Sequence, residues 1–285
     1  FQRFPEDVTR KVKPSKIIAR LKNSQGEVIK EVNTDQPLSD YSELPVQLEM
    51  KVNNPNLWSD KTPYLYTMEL QLWVDGKLTN TEYYKIGIRN IEFNSELGML
   101  VNGQKVIAKG VCLHKDAASF GTAVPKDIYR FRLRKLKALG CNAIRTHGSV
   151  DPVFIDLCDE MGFYLMAEAF DEWDKTWEFG YSEDAWGKLP YTYNKFFRQW
   201  AETDLKDMVK RDRNHPAVFI YSVGNEVPNQ RYADGPKTLK KLINWVKEED
   251  TTRPILSGCD WAPWVNKSGF MDTMDISGYN YPDRY

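Results

Sequence analysis

No charge of either sign dominates this chain. Lys and Arg number 39 against 40 Asp and Glu, a net charge of −1 over 285 residues. Such a balance leaves no electrostatic footprint for nucleic acid or an acidic membrane surface, so neither partner is expected. No apolar run is long enough to span a bilayer. Residues 1–14 mix both signs of charge and contain no apolar core of the kind a secretion signal needs. The chain starts on Phe, which reads as a processed or cut terminus. Cysteine is sparse: Cys112, Cys141, Cys158 and Cys259 form no CxxC and no zinc-like spacing. Three lie in apparent strands and one in an apparent helix, so all four read as buried free thiols. Histidine is scarcer still, with His114, His147 and His215 alone, which leaves little for a His-rich metal centre.

Aromatic residues are plentiful: nine Trp, fifteen Tyr and thirteen Phe supply core volume and rings that can stack on sugar faces. Residues 1–93 read as all-β. Apolar residues alternate with polar ones over 17–21, 28–32, 48–52, 68–74 and 78–88, and Asp75-Gly76 between two such runs is a hairpin signal. Five or six short strands at this spacing point to an immunoglobulin-like β-sandwich, possibly without its first strands. Aromatics of Asn54-Pro55-Asn56-Leu57-Trp58 and Pro63-Tyr64-Leu65-Tyr66 can plug it.

The pattern changes in residues 94–285. A hairpin at 100–106 leads into strands that alternate with helices. Strands are expected at 106–113, 141–145, 163–167, 217–223, 255–258 and 276–279, and helices at 127–139, 152–161, 195–211 and 236–249. On the first helix Ile128, Phe131, Leu133, Leu136 and Leu139 read as the buried face. No Gly-rich phosphate fingerprint follows the first strand, since Cys112-Leu113-His114-Lys115-Asp116 does not fit GxGxxG. The strand tips instead carry His114, Arg145, His147, Glu168 and Glu226, the layout of a (β/α)8 TIM barrel. Six strands are two short of closure, so the expectation is a barrel truncated after about six strands within a longer protein.

The most informative stretch is 212–226, DRNHPAVFIYSVGNE. Its near-continuous apolar run reads as a strand buried on both faces, ending in Asn225 and Glu226. A carboxylate beside an amide at a strand tip can protonate a glycosidic oxygen while the amide holds the sugar 2-hydroxyl. The plainer reading is a turn and helix cap. Arg145 can bind substrate or hold a carboxylate. Asp116 reads as either a site residue or a turn cap. The acidic run Glu168, Asp171, Glu172 and Asp174 can attract a hard cation such as Mg or Na, or be a solvated loop.

Fifteen positions of that stretch resemble the acid/base signature of glycoside hydrolase family 2, with Tyr221 where the family commonly has Trp. NNPNLWSDKTPYLY, KIGIRNIEF, LVNGQKVIAKGVCLHKD, CNAIRT, DLCDEMGFYLMAEAFDEW and GYNY extend the resemblance over nearly the whole chain. It implies a retaining exo-β-glycosidase, closest to the β-galactosidase-like branch, acting on a carbohydrate with a terminal β-linked sugar. β-Glucuronidase, β-mannosidase and an inactive carbohydrate-binding relative are the alternatives. Glu226 would be the acid/base and Asn225 the 2-hydroxyl contact. Arg145, His114 and Asp116 would line the sugar pocket, with His147 beside them and Tyr281 or Tyr279 near the nucleophile. The nucleophile would be a Glu on a seventh strand, after Tyr285, so this chain alone would turn over little. No cofactor is expected, a Mg or Na ion near the site and a homo-oligomeric parent stay open as options, and the compartment is left unknown between bacterial cytoplasm and periplasm. One departure stands out. Arg145-Thr146-His147-Gly148-Ser149-Val150 places its histidine one residue early and lacks the usual Pro, which touches sugar specificity.

Overall fold

A computed structural model describes residues 12–35, 38–39, 45–175 and 193–284. Much of the Trp-, Glu- and Tyr-rich insertion therefore lies outside the described residues. The chain forms two compact units, Phe1–Trp58 with Tyr64–Ile88, and Ser59–Pro63 with Arg89–Tyr285.

The first unit is antiparallel. Strands β1 (Val12–Lys13) and β4 (Leu38–Ser39) pair with each other. Strands β2 (Ser15–Lys22), β3 (Val28–Asp35), β5 (Tyr66–Val74) and β6 (Lys77–Ile86) form one sheet in the order β3-β2-β5-β6. The Asp75-Gly76 turn joins β5 to β6 with φ 50° and 72°, the left-handed pair that a two-residue hairpin requires. Ile18, Ala19 and Leu21 are buried on β2, and Trp58 is wholly buried, with its amide donating to the Ile88 carbonyl at 2.8 Å. The Tyr66 hydroxyl accepts from the Asn56 amide at 2.7 Å, so the aromatic motif fills this unit as expected. Residues 48–52 differ from expectation. Their exposure alternates, yet no strand forms there.

The second unit opens with a meander, β7 (Ile91–Asn94), β8 (Gly98–Val101) and β9 (Gln104–Lys105). Then come β10 (Gly110–Leu113), α1 (Lys126–Ala138), β11 (Ala143–Thr146), α2 (Pro152–Met161), β12 (Tyr164–Glu168), α3 (Asn194–Asp212), β13 (Val218–Asn225), α4 (Gly235–Glu249), β14 (Ile255–Gly258) and α5 (Ala262–Lys267). The five main strands form one parallel sheet in sequence order, β10-β11-β12-β13-β14. The expected sixth strand shrinks to a parallel bridge between Cys259 and Tyr279. The Cys259 amide donates to Gly278 and that of Asn280 to Cys259.

Burial follows position in this sheet. Inner strand β13 is buried along nearly its whole length, whereas edge strand β10 alternates between exposed and half-buried. Helix α2 starts with the Asp151 side chain capping the Val153 amide at 2.9 Å, and Gly162 ends it at φ 70°. Two sequence expectations need correction here. On α1 the buried residues are Tyr129 and Leu133, while Phe131 and Leu139 are exposed. The apolar spacing was ambiguous between two adjacent faces, and the sheet selects the one centred on Leu133. Of the cysteines, Cys158 and Cys259 are buried, but Cys112 on edge strand β10 is exposed and Cys141 half-buried; all four are free.

Candidate active site

The two ends of β13 do different work. At its amino end, backbone carbonyls are gripped by arginines. Arg89 donates to Pro216 and Val218, each at 2.6 Å, and Arg253 donates to Val218 at 2.7 Å and His215 at 3.1 Å. Burial and the neighbouring Arg253 charge push Arg89 down to about 10. His215 Nδ1 meets Asp159 of α2 at 2.6 Å. The Asp212-Arg213-Asn214-His215-Pro216 half of the motif is thus an anchor at the stability face of the sheet. Tyr221 is fully buried, and its hydroxyl reaches Asp250 at 3.3 Å.

At the carboxyl end the strand presents Asn225 and Glu226, both half-buried. Gly224 packs so tightly that a Cβ there would lie 2.7 Å from Val227 Cγ1 and 3.0 Å from Trp173 Nε1. Trp173 itself is buried and donates to the Val223 carbonyl at 2.9 Å. Glu226 adopts φ 50°, unusual for a residue with a side chain, and its amide donates to the Gly258 carbonyl at 2.7 Å. The left-handed turn swings the carboxylate off the strand and across to the neighbouring tip.

There a polar cluster closes around it. Asn280 Nδ2 donates to Glu226 Oε1 at 2.6 Å and to Asn225 Oδ1 at 2.9 Å. Arg145 also donates to Asn225 Oδ1, and to Asn280 Oδ1 at 3.3 Å. Two further donations, from Nε at 3.0 Å and Nη2 at 2.7 Å, go to Glu168 Oε2. Ser222 adds a hydroxyl to the same oxygen at 2.8 Å. Asn225 Nδ2 lies 3.2 Å from His147 Nε2, and His147 Nδ1 lies 3.2 Å from Asp171. The His147 ring stacks on His114 with centroids 4.3 Å apart.

Burial lowers the His147 pKa against the pull of Asp171, and the neighbouring His114 ring and Arg145 guanidinium lower it further while Glu226 opposes them. A neutral ring can accept the Asn225 amide hydrogen at Nε2 and donate from Nδ1 to Asp171. Glu168 is wholly buried, and burial raises its pKa against the opposing pull of Arg145 and Ser222. Its Oε1 has no hydrogen-bond partner among the described residues. His147, Glu168 and Asp171 each offer a ligand atom within 4.8 Å of the others. The fit to a divalent cation is poor, because Glu168 already neutralises Arg145 and a cation there would face a guanidinium at close range.

Comparison with known families identifies the fold that carries this cluster. The pattern of the family described as "Glycosyl hydrolases family 2, TIM barrel domain" matches residues 93–275, and that of "Glycosyl hydrolases family 2" matches residues 6–89. The chain belongs to glycosyl hydrolase family 2. A β-galactosidase of Bacteroides ovatus, BoGH2A, is 31% identical over 300 residues, covering 94% of this chain and 34% of the relative. A β-galactosidase of Lactococcus lactis is 34% identical over 213 residues, covering 73% of this chain and 19% of the relative. A solved family 2 structure from Bacteroides cellulosilyticus superposes with a TM-score of 0.85 at 31% identity, covering 96% of this chain and 34% of that one. The chain thus spans about a third of the first relative's length. Its architecture is that of a family 2 β-sandwich domain followed by part of a TIM barrel.

Within this family 2 fold, Arg145, His147, Asn225 and Glu226 share one hydrogen-bonded cluster, and His114 joins it by stacking. Asp116 is exposed and lies with Leu113 and His114 along a groove beside α1, where its backbone carbonyl accepts from Arg132 at 2.8 Å. Tyr281 is exposed, at φ 53°, one residue past Asn280, and the Tyr279 hydroxyl donates to Asn266 at 2.7 Å. Sequence reasoning missed Asn280. The signal lies in Gly278-Tyr279-Asn280-Tyr281, where the amide sits between two tyrosines at the end of an expected strand. The early histidine of the altered loop still reaches Asn225. Its amide donates to Leu113 at 3.0 Å, and Gly148 follows at φ 76°.

Proposed function

We propose that this chain carries the acid/base side of the active site of a retaining exo-β-glycosidase, with a β-galactoside as its substrate. The observation that carries the reading is the presentation of Glu226 beside Asn225 at the tip of β13, with Asn280 donating to both. Glu226 protonates the departing glycosidic oxygen and then takes a proton from the attacking water. Asn225 has its oxygen occupied by Arg145 and Asn280, so its amide group is turned outward. One N–H faces His147, and the other is available for the sugar 2-hydroxyl, a contact that strengthens as the oxocarbenium-like transition state forms. Arg145, His147 and His114 form the pocket wall on the sugar side, with Asp116 and Tyr281 at its margins. The second carboxylate, the nucleophile, must come within about 5–5.5 Å of Glu226. By resemblance it belongs to a seventh strand. The choice of β-galactoside rests on the β-galactosidases named among the relatives.

The test is hydrolysis of a panel of nitrophenyl β-glycosides by the full-length protein, beside this 285-residue chain and a Glu226→Gln full-length variant. The reading predicts cleavage of the galactoside by the full-length protein, none by the 285-residue chain, and slowed steady-state turnover by the Glu226→Gln variant, whose second step lacks its base. Cleavage of the glucuronide or mannoside instead reassigns the sugar. Normal turnover by the 285-residue chain contradicts the placement of the nucleophile.

A further inference from the structure

Asp171 has no part in the roles given to Glu226 and Asn225, yet it stands at the far end of a relay that leads to Asn225. Asp171 Oδ1 lies 3.2 Å from His147 Nδ1, and His147 Nε2 lies 3.2 Å from Asn225 Nδ2. The two outer members fix the state of the middle one. An ionised carboxylate only accepts, so Nδ1 must carry the ring hydrogen. A side-chain amide nitrogen only donates, so Nε2 must be bare. Both demands select the same neutral tautomer, the form that burial of the ring also favours.

The surrounding structure holds all three members in place. The Asn225 backbone amide donates to the Phe170 carbonyl at 3.0 Å, which ties the tip of β13 to the residue before Asp171. The Ala169 amide donates to Ser222 of the same strand at 2.9 Å. The His147 amide is anchored on Leu113, and the His114 ring lies against the imidazole with planes 18° apart, which limits its rotation. The Asp171 side chain is 54% exposed, so it fills no core space and its place in the relay is not a by-product of packing.

We infer that Asp171 and His147 are positioning residues: Asp171 fixes the His147 tautomer, and the bare Nε2 holds one Asn225 N–H so that the other points at the 2-hydroxyl of the sugar. Arg145 and Asn280 both donate to the amide oxygen, which leaves the amide free to tilt about that end. His147 is the partner of the nitrogen and removes this freedom. The early histidine of loop 145–150 thereby gains a use, since it is the residue that reaches Asn225. The inference rests on the assignment of Asn225 as the 2-hydroxyl contact beside an acid/base Glu226.

The experiment compares nitrophenyl β-galactoside with its 2-deoxy analogue, using full-length wild type, Asp171→Ala, Asp171→Asn and Asn225→Ala. Asp171→Ala should lose about tenfold in kcat/KM on the galactoside, mostly in kcat, and no more than about twofold on the 2-deoxy substrate, which lacks the group the relay serves. Asp171→Asn should keep most of the activity, because its amide oxygen still accepts the Nδ1 hydrogen. The inference is overturned if Asp171→Ala loses nothing, if it loses equally on both substrates, or if Asp171→Asn is as slow as Asp171→Ala. Asn225→Ala separates this failure from that of the underlying reading. A larger loss on the galactoside than on the 2-deoxy substrate keeps the 2-hydroxyl contact, whereas equal losses overturn that contact and the relay together. A full-length protein that cleaves neither substrate overturns the β-galactosidase reading and the relay with it.

Discussion

Asn280 is the residue on which the cluster turns. One side-chain amide serves Glu226, Asn225 and Arg145 together, so its loss leaves three polar groups to find new partners. A hydrogen bond to a charged group contributes about 1.5–3 kcal/mol. Asn280→Ala in the full-length protein should therefore lower kcat/KM by about ten- to a hundredfold while leaving the melting temperature within a few degrees of wild type, since the residue sits in a half-buried loop. His147 gives a second test. Its folded pKa lies below the ordinary value of about 6.5, so the neutral ring is the form the fold prefers. Its contribution to stability is complete above that ordinary value and is lost as pH falls below it toward the folded value. Thermal melts between about pH 7 and 5 should show an acid-side loss that is reduced in His147→Gln. A His147→Gln slope identical to that of wild type would place the titration elsewhere.

Strand β13 carries the element-scale argument, because its ends were unequally legible. Its buried apolar run and its final Asn225-Glu226 stood out from residue type alone, and strand and tip lie where expected. The purpose of Asp212-Arg213-Asn214-His215-Pro216 did not. A clamp built from Arg89, Asp159 and Arg253 draws on segments far apart in sequence, and no local pattern announces such a meeting. Helix α1 shows the same limit, since Phe131 fits the apolar spacing yet faces solvent. Asn280 escaped notice because its one-bridge strand has no periodicity to mark it. The clamp has a pH signature opposite to that of His147. Burial pulls the His215 pKa down, but the hydrogen bond and charge of Asp159 outweigh it and leave the value raised. Stability from this pair is present below the unfolded pKa of about 6.5 and fades as pH rises through the folded value. His215→Gln should flatten the alkaline-side decline in melting temperature between about pH 6 and 9. A wild-type protein whose stability rises across that range would contradict the pairing.

At the scale of the whole molecule, the parallel sheet is an arc rather than a ring. Its five strands run in sequence order, and beside β14 only a bridge begins the next. On the opposite edge, Cys112 is exposed and a groove runs along Leu113, Phe131 and Leu136. A closed barrel of this kind has eight strands, and its carboxyl-end loops build the site together. The hydrogen-bonded cluster around Glu226 is nonetheless assembled within β10 to β14 and the Asn280 loop. That asymmetry makes one claim about the whole enzyme decisive, namely that Glu226 works as a proton donor to the leaving group. The direct measurement is the dependence of kcat/KM on leaving-group pKa for aryl and alkyl β-galactosides, in full-length wild type and Glu226→Ala. The account predicts a steep dependence in the variant. Alkyl glycosides should slow by about a hundredfold or more, and dinitrophenyl galactoside, which leaves without protonation, should be nearly unaffected at that step. A uniform loss across all leaving groups would contradict the assignment of Glu226 as the acid.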